Sequence, residues 1–309
     1  KIIVLAFQYP FVSKESRWEN VHVISFNGRN KGKAHRLFLW MRVWKSIKRI
    51  VQENNVIGLL NLWLGECALL GKYASKKTGL PSFTWILGQD AKANNRYVKL
   101  VKPAPKDLIA MSDSLSETLE KNYKIKPQHV IPLGIDQTLF TEPLSKRDID
   151  ILGAGSLIPL KQYNIFIKIV IEISKQRPTV QAVIVGDGKE KLKLEKLIAD
   201  NKMENNIRLL GSKEHHEVLS YMHQSKILLH PSNYEGFSAV CAEALYAGAK
   251  VVSFTKAMNK DFKNWFVVET EKEMLAKTEA ILDCDAVYER VLVNDSEAAA
   301  RQILALYQK

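Results

Sequence analysis

Two glutamates, Glu235 and Glu243, stand with seven residues between them in the run His230-Pro231-Ser232-Asn233-Tyr234-Glu235-Gly236-Phe237-Ser238-Ala239-Val240-Cys241-Ala242-Glu243. A carboxylate accepts two hydroxyls at once, so either acid suits the vicinal diol of a ribose or a hexose. Taken as an isolated pair they read more readily as a turn acid and a solvated helix residue, so their placement matters. Lys226 to His230 is a short apolar run closed by Pro231, which has no N–H for a ladder. Ser238 suits the N-cap of the alanine-rich helix that follows, Gly248 falls where a left-handed C-cap is wanted, and Val251-Val252 opens the next strand. Glu235 is therefore expected in the loop at a strand's carboxyl end, and Glu243 just over one turn inside a helix. Open parallel α/β sheets bind their ligands at that edge, near helix N-termini.

A second candidate lies upstream, in Asp150-Ile151-Leu152-Gly153-Ala154-Gly155-Ser156-Leu157-Ile158-Pro159-Leu160-Lys161-Gln162. Glycines that end a strand before a helix let backbone N–H groups approach a phosphate, and a lysine there is a point charge for a diphosphate. Strands are expected again at Gln181–Val185 before Gly186-Asp187-Gly188, at Ile207–Gly211 and at Trp265–Val268, with helices between. His215, His216 and His223 lack a convincing zinc spacing and are expected at the surface.

The string EGFSAVCAEALYAGAKVVS, with its two spaced glutamates, resembles the signature of family 4 glycosyltransferases. The resemblance implies a GT-B type α/β fold, two Rossmann-like domains with parallel sheets facing across a cleft. It implies that Glu243 holds the donor ribose, that Glu235 contacts the transferred sugar, and that Lys161 meets the diphosphate with Gly155 and Ser156. Backbone around Gly236, Phe237 and Ser238 would assist, and Leu210 would lie near the nucleobase. Three positions depart from the family pattern: Ser238 replaces a glycine, Ser156 an arginine and Leu87 the histidine of a His-Gly-x-x-Asp-like element. Asp90, which matches the aspartate of that element, and Glu66 are the candidate acids on the acceptor side, with Asp90 carried as a catalytic candidate and Glu66 more readily an ordinary loop acid. The implied reaction is retaining transfer of a hexosyl group from a nucleotide diphosphate sugar to a cell-envelope glycan or lipid-linked acceptor, with no metal or other cofactor.

Length and composition agree with two domains, expected at 1–145 and 146–309 with a polar linker near 142–147 and a last helix, Ser296 to Tyr307, that crosses back. No window approaches 18 uninterrupted apolar residues and no signal peptide opens the sequence. Cys67, Cys241 and Cys284 are few and far apart, so reduced thiols and a cytoplasmic location are expected. The net charge of +12 is uneven: residues 1–145 hold 22 Lys and Arg against 11 Asp and Glu, the remainder 23 against 22. An anionic membrane surface, met from the cytoplasmic side, is the expected partner of the basic half; nucleic acid is an outside alternative without a module to support it. A sugar-nucleotide epimerase of the same fold, or a nucleotide-sugar-binding protein with little turnover, are the other readings.

The basic span from Glu19 to Glu53 contains no other acid and includes an amphipathic helix. Its expected apolar stripe is Leu37, Trp40, Met41, Trp44, Ile47 and Val51, with Arg42, Lys45 and Arg49 opposite. Before it, Lys1–Phe7 and Val21–Phe26 read as strands. The connection between them is too short for a helical crossover, so either an acceptor-side loop is truncated or residues are missing between Phe11 and Glu19.

Overall fold

The computed structural model describes residues 1–29, 31–140, 147–284 and 287–308. The linker expected near 142–147 falls almost wholly outside them. By contact the chain divides into one unit of Lys1–Ile86 with Asn94–Leu108, and a second of Leu87–Ala93 with Ile109–Lys309. The turn at 87–93 and the segment from 109 to 140 thus belong, by contact, with the second unit.

In the first unit β1 (Ile2–Ala6) lies parallel to β3 (Val21–Phe26), and β2 (Ser13–Trp18) runs antiparallel on the other side of β3. This explains the short connection: a returning strand takes the place of a helical crossover. Helix α1 (Lys33–Glu53) follows, then β4 (Leu59–Leu62), α2 (Glu66–Thr78), β5 (Ser82–Ile86) parallel to β4, and α3 (Arg96–Val101). Leu39, Val43 and Ile47 of α1 pack with Ile24, Phe26, Leu70 and Ala74 to form the core.

The expected stripe on α1 therefore meets the core at four of its six positions, while Leu39 and Val43 take the place of Leu37 and Met41. Ile47 is buried and Trp40, Trp44 and Val51 pack at the margin of the core, but Leu37 and Met41 are 59% and 48% exposed. Phe38 beside them is 56% exposed. The basic face is not simply solvated either. Arg42 donates to Phe26 O (3.1 Å) and Ser13 Oγ (2.7 Å), and Arg49 pairs with Glu15 at 2.7 Å. Both tie α1 to the β2–β3 hairpin; Lys45 remains exposed.

Strand β6 (Leu108–Ala110) begins at the last residue of the first unit; α4 (Asp113–Tyr123) and β7 (His129–Val130), which is parallel to β6, belong to the second. The chain continues through β8 (Ile149–Ala154), α5 (Tyr163–Gln176), β9 (Ala182–Val185), α6 (Lys191–Asp200), β10 (Ile207–Leu209), α7 (His215–His223) and β11 (Ser225–His230). It ends with α8 (Ala239–Tyr246), β12 (Lys250–Ser253), β13 (Trp265–Val267), α9 (Glu271–Leu282) and α10 (Ser296–Ala305). The six strands from β8 onward form one parallel sheet in the order β10-β9-β8-β11-β12-β13. Alternate residues bury on opposite faces: Ile151, Ile184, Leu229 and Val252 under α5, α6 and α9, and Leu152, Val183, Leu228 and Val251 under α7 and α8. Burial on both faces is what continuous apolar strands require.

Two features brace this unit. The buried guanidinium of Arg147 donates to the carbonyls of Met222, Ser225 and Ala247, closing the ends of α7 and α8. Asp295, the N-cap of α10, bridges to Ile135, and Gln137 donates to its carboxylate at 3.0 Å. Among the described residues no helix is long and apolar enough to cross a membrane.

Candidate functional site

The carboxyl ends of β8, β9, β10 and β11 lie side by side in the sheet, and the sequence candidates of the second unit gather at them. Gly155 leaves β8 with φ 141°, a conformation side chains rarely adopt, and a Cβ there would meet Tyr163 Oη at 3.3 Å and Lys161 Cε at 3.8 Å. Its own N–H is spent on Val185 O at 3.0 Å. Glycine is thus called for by the backbone conformation rather than by crowding from Lys161, and the phosphate-facing amide expected of Gly155 is already occupied. Ser156 beyond it is exposed. Leu210 N donates to Ile184 O at 2.9 Å, continuing the β10–β9 ladder, while its side chain packs at the edge of the core.

Lys161 closes a short 3-10 turn, Pro159–Lys161, and its Nζ sits 2.5 Å from Glu235 Oε1. The same oxygen is 2.8 Å from Nε2 of His230, the last residue of β11. Burial alone would raise the Glu235 carboxyl, but the hydrogen bonds from His230 and Lys161, with the charge of Lys161, outweigh it and hold the acid at about 2. Burial pushes His230 the other way, below its ordinary value, so its neutral ring donates through Nε2–H to an ionised carboxylate.

The Glu235 loop is clasped by backbone. Ser112 Oγ donates to Gly236 O at 2.5 Å, and a Cβ on Gly236 would collide with Leu87 O, so no larger residue fits. Tyr234 Oη donates to Gly88 O at 2.8 Å, and Lys92 Nζ lies 3.9 Å from the centre of its ring. Asp90 shapes this turn. It is buried, and its Oδ1 accepts from Leu87 N (3.2 Å) and Gly88 N (2.8 Å). Leu87, at the position of the family histidine, contributes backbone to the clasp.

Phe237 is buried in the core and anchors the start of α8. Ser238 occupies the N-cap position, but not as expected: its φ is 65° and no side-chain cap bond forms. Its hydroxyl turns to Cys241 Sγ at 2.9 Å. The left-handed backbone gives a physical reason for the family's glycine at this position. Glu243 is half-buried on α8 and 2.9 Å from Nε2 of His215, the first residue of α7. Burial raises its pKa, and His215 opposes the rise. Two carboxylates with seven residues between them thus have opposite tuning, one held firmly ionised and the other drawn toward neutrality.

The candidates from the first half divide. Asp90 belongs to the turn just described; Glu66 is in the first unit, where it accepts from Gln8 (2.9 Å), Arg36 (2.6 Å) and Tyr97 (3.2 Å) as a packing hub. His230 and His215 were not singled out by sequence reasoning. For His230 a signal existed: a polar residue ending an otherwise apolar strand must find a buried partner. His215 and His216 lie at the surface as expected, whereas His223 is buried; 28 residues separate His215 from its partner and no local pattern marks the pairing.

The family described as Glycosyl transferases group 1 matches residues 135–292, which include Lys161, Glu235 and Glu243. The phosphatidylinositol N-acetylglucosaminyltransferase gpi3 subunit of Schizosaccharomyces pombe is 29% identical over 164 residues, 52% of this chain and 36% of that protein. The 2-deoxystreptamine N-acetyl-D-glucosaminyltransferase of Niallia circulans is 28% identical over 125 residues, 40% of this chain and 32% of that protein. The matches thus span about a third of these relatives' length. Among solved structures, Anabaena Alr3699/HepE in complex with UDP and glucose superposes with a TM-score of 0.65 at 19% identity, covering 93% of this chain and 84% of the other. That likeness gives the fold, an α/β architecture of GT-B type. With half its length matched, including the glutamate pair and the lysine that faces it, the chain belongs to the group 1 glycosyl transferases.

Proposed function

We propose that this chain is a retaining, family 4 glycosyltransferase that moves a hexosyl group from a UDP-sugar to a glycan or lipid-linked acceptor. The observation that carries the reading is the placement of Glu235, Lys161 and Glu243 at the carboxyl edge of one parallel sheet, where such folds bind nucleotides. The named relatives transfer N-acetylglucosamine and the solved neighbour holds UDP, which together favour UDP-N-acetylglucosamine as donor.

In this reading Glu243 leaves His215 to accept the ribose hydroxyls. Its raised pKa suits an acid that gains hydrogen-bond donors on binding. Lys161 turns from Glu235 to the diphosphate, and Glu235 is freed to accept a hydroxyl of the sugar. The C1–O bond to UDP breaks, a bond to the acceptor oxygen forms on the same face, and the acceptor's proton passes to the departing phosphate. Fixed charge meeting the leaving group is the electrostatic route to rate. With Ser156 in place of an arginine, Lys161 is the side-chain cation assigned to that task. Domains of 1–145 and 146–309 remain our proposed functional division, with the donor held by the second.

The first domain is proposed to rest on an anionic membrane surface. Leu37, Phe38 and Met41 are exposed on α1 near the exposed Lys33, Lys45 and Lys48, an apolar and basic combination suited to anionic lipid.

The test is a thermal-shift panel of UDP-, GDP-, ADP- and CDP-sugars followed by product analysis with and without acceptors. At about 100 times its dissociation constant a ligand adds roughly 2.7 kcal/mol, so a UDP-sugar should raise the Tm clearly. Stabilisation by none of the panel, or donor conversion that ignores every acceptor, overturns the reading.

A further inference from the structure

We propose that His230 is the residue that positions the Glu235 carboxylate, fixing Oε1 from the end of β11 so that Oε2 is presented to the sugar. The inference deepens the proposed function and rests on its reading of Glu235 as the sugar contact. Oε1 receives both Lys161 Nζ (2.5 Å) and His230 Nε2 (2.8 Å), whereas among the described residues no hydrogen bond reaches Oε2.

The two donors differ in what they can do. Lys161 reaches Glu235 through a flexible stem from a short turn, and a diphosphate would draw it away. His230 cannot leave. It is 3% exposed and ends a strand flanked by β8 and β12, and the chain beyond it is fixed by Pro231 and by Ser232 Oγ, which donates to Leu160 O (3.3 Å) and Tyr234 O (3.2 Å). Once Lys161 has turned to the phosphates, the imidazole is the donor left holding the carboxylate in place and ionised. The other titratable groups facing Glu235 are Tyr163 and Cys241. Burial pushes Cys241 up to about 12 and Tyr163 higher still, so both stay neutral and neither substitutes for the histidine.

The experiment compares the native chain with His230→Leu, His230→Gln and Glu235→Gln, using UDP and UDP-N-acetylglucosamine. His230→Leu should keep its affinity for UDP within about twofold, lose about tenfold in preference for the sugar nucleotide over UDP, and fall in kcat more than in 1/KM. The acid limb of its pH–rate profile should move upward by about one pH unit. His230→Gln, whose amide nitrogen reaches a similar place, should restore most of the loss. In the ligand-free native chain, nitrogen NMR of the histidines should show His230 as the neutral Nε2–H tautomer, with a resonance that moves in Glu235→Gln. An Nδ1–H tautomer, a resonance indifferent to Glu235→Gln, or a folded His230→Leu with native preference and native acid limb would overturn the positioning role. If Glu235→Gln itself keeps the native preference, what fails is the assignment of Glu235 to the sugar.

Discussion

Replacing Glu235 by Gln tests the electrostatics of the site without any ligand. Glutamine resembles the permanently protonated acid: it keeps an acceptor for Lys161 and His230 but loses the charge. The carboxyl, ordinarily at 4.5, is held at about 2 in the folded chain. That gap of about 2.5 pH units, at about 1.36 kcal/mol each, corresponds to about 3 kcal/mol of stability. With a side chain 13% exposed, solvent screening takes away only a small part. Because the folded value is depressed, the contribution is complete above pH 4.5 and disappears as the pH falls toward 2. Glu235→Gln should therefore lower the calorimetric Tm of the second unit by about 6–12 °C at pH 7, at roughly 2–4 °C per kcal/mol for a unit of this size. Its deficit should shrink steadily through pH 4 and 3. Equal midpoints at pH 7, or a deficit that is constant with pH, would refute the assignment of Glu235 as an ionised, doubly bonded acid.

Other outcomes follow from the same geometry. Glu243→Ala should weaken UDP-sugar binding by about 10- to 150-fold in calorimetry, the equivalent of 1.5–3 kcal/mol for a charged pair of hydrogen bonds, and unchanged affinity in a folded variant would remove it from the ribose site. Lys161→Ala should abolish most turnover, while Ser156→Arg, adding a cationic fork on an exposed loop, should tighten UDP binding; normal transfer by Lys161→Ala would place the diphosphate elsewhere. Ser238→Gly should raise stability by about 0.5–1 kcal/mol, since a non-glycine residue at φ 65° costs about 1–2 kcal/mol and glycine's extra unfolded-state freedom offsets part of that; a lower urea midpoint would count against strain there. Co-sedimentation with anionic vesicles at low salt should be lost on combining Lys33→Glu, Lys45→Glu and Lys48→Glu, and binding retained in full would leave that face of α1 merely solvated.

The second half of the fold was legible because its signals are local and agree with one another. Apolar runs of strand length end in glycine or proline, and the helices between them carry a clear apolar face, so β8 to β12 fall close to where the sequence placed them. Lys161, Glu235 and Glu243 were found through motif spacing, and the sheet brings their segments to one edge. In α1 the signal misplaced Leu37 and Met41 because Leu37-Phe38-Leu39-Trp40-Met41 is apolar all round, so two stripes compete and only packing against Phe26 and Leu70 decides between them. β2 was missed since SKESRW has the composition of an exposed loop; its pairing comes from β3 and from Arg42 and Arg49 reaching across. Ser238 misled as an N-cap because residue preference says nothing of a backbone forced to positive φ. The partners of the two acids, His230 and His215, depend on tertiary placement, which spacing alone does not convey.

Arg147 bears on how the chain comes off the ribosome. Its guanidinium is buried, yet one of the carbonyls that receive it, Ala247 O, is made 100 residues later. At about 5–20 residues per second, roughly 5–20 s separate the two during synthesis. Until Ala247 emerges, the nascent chain can collapse around β8 only by leaving a cation incompletely satisfied, a cost that holds the early sheet open. Fragments ending short of residue 247 should accordingly bind chaperones and resist folding even when they contain β8, β9 and β10 complete, and the unit should lock in a single late step once α8 has joined.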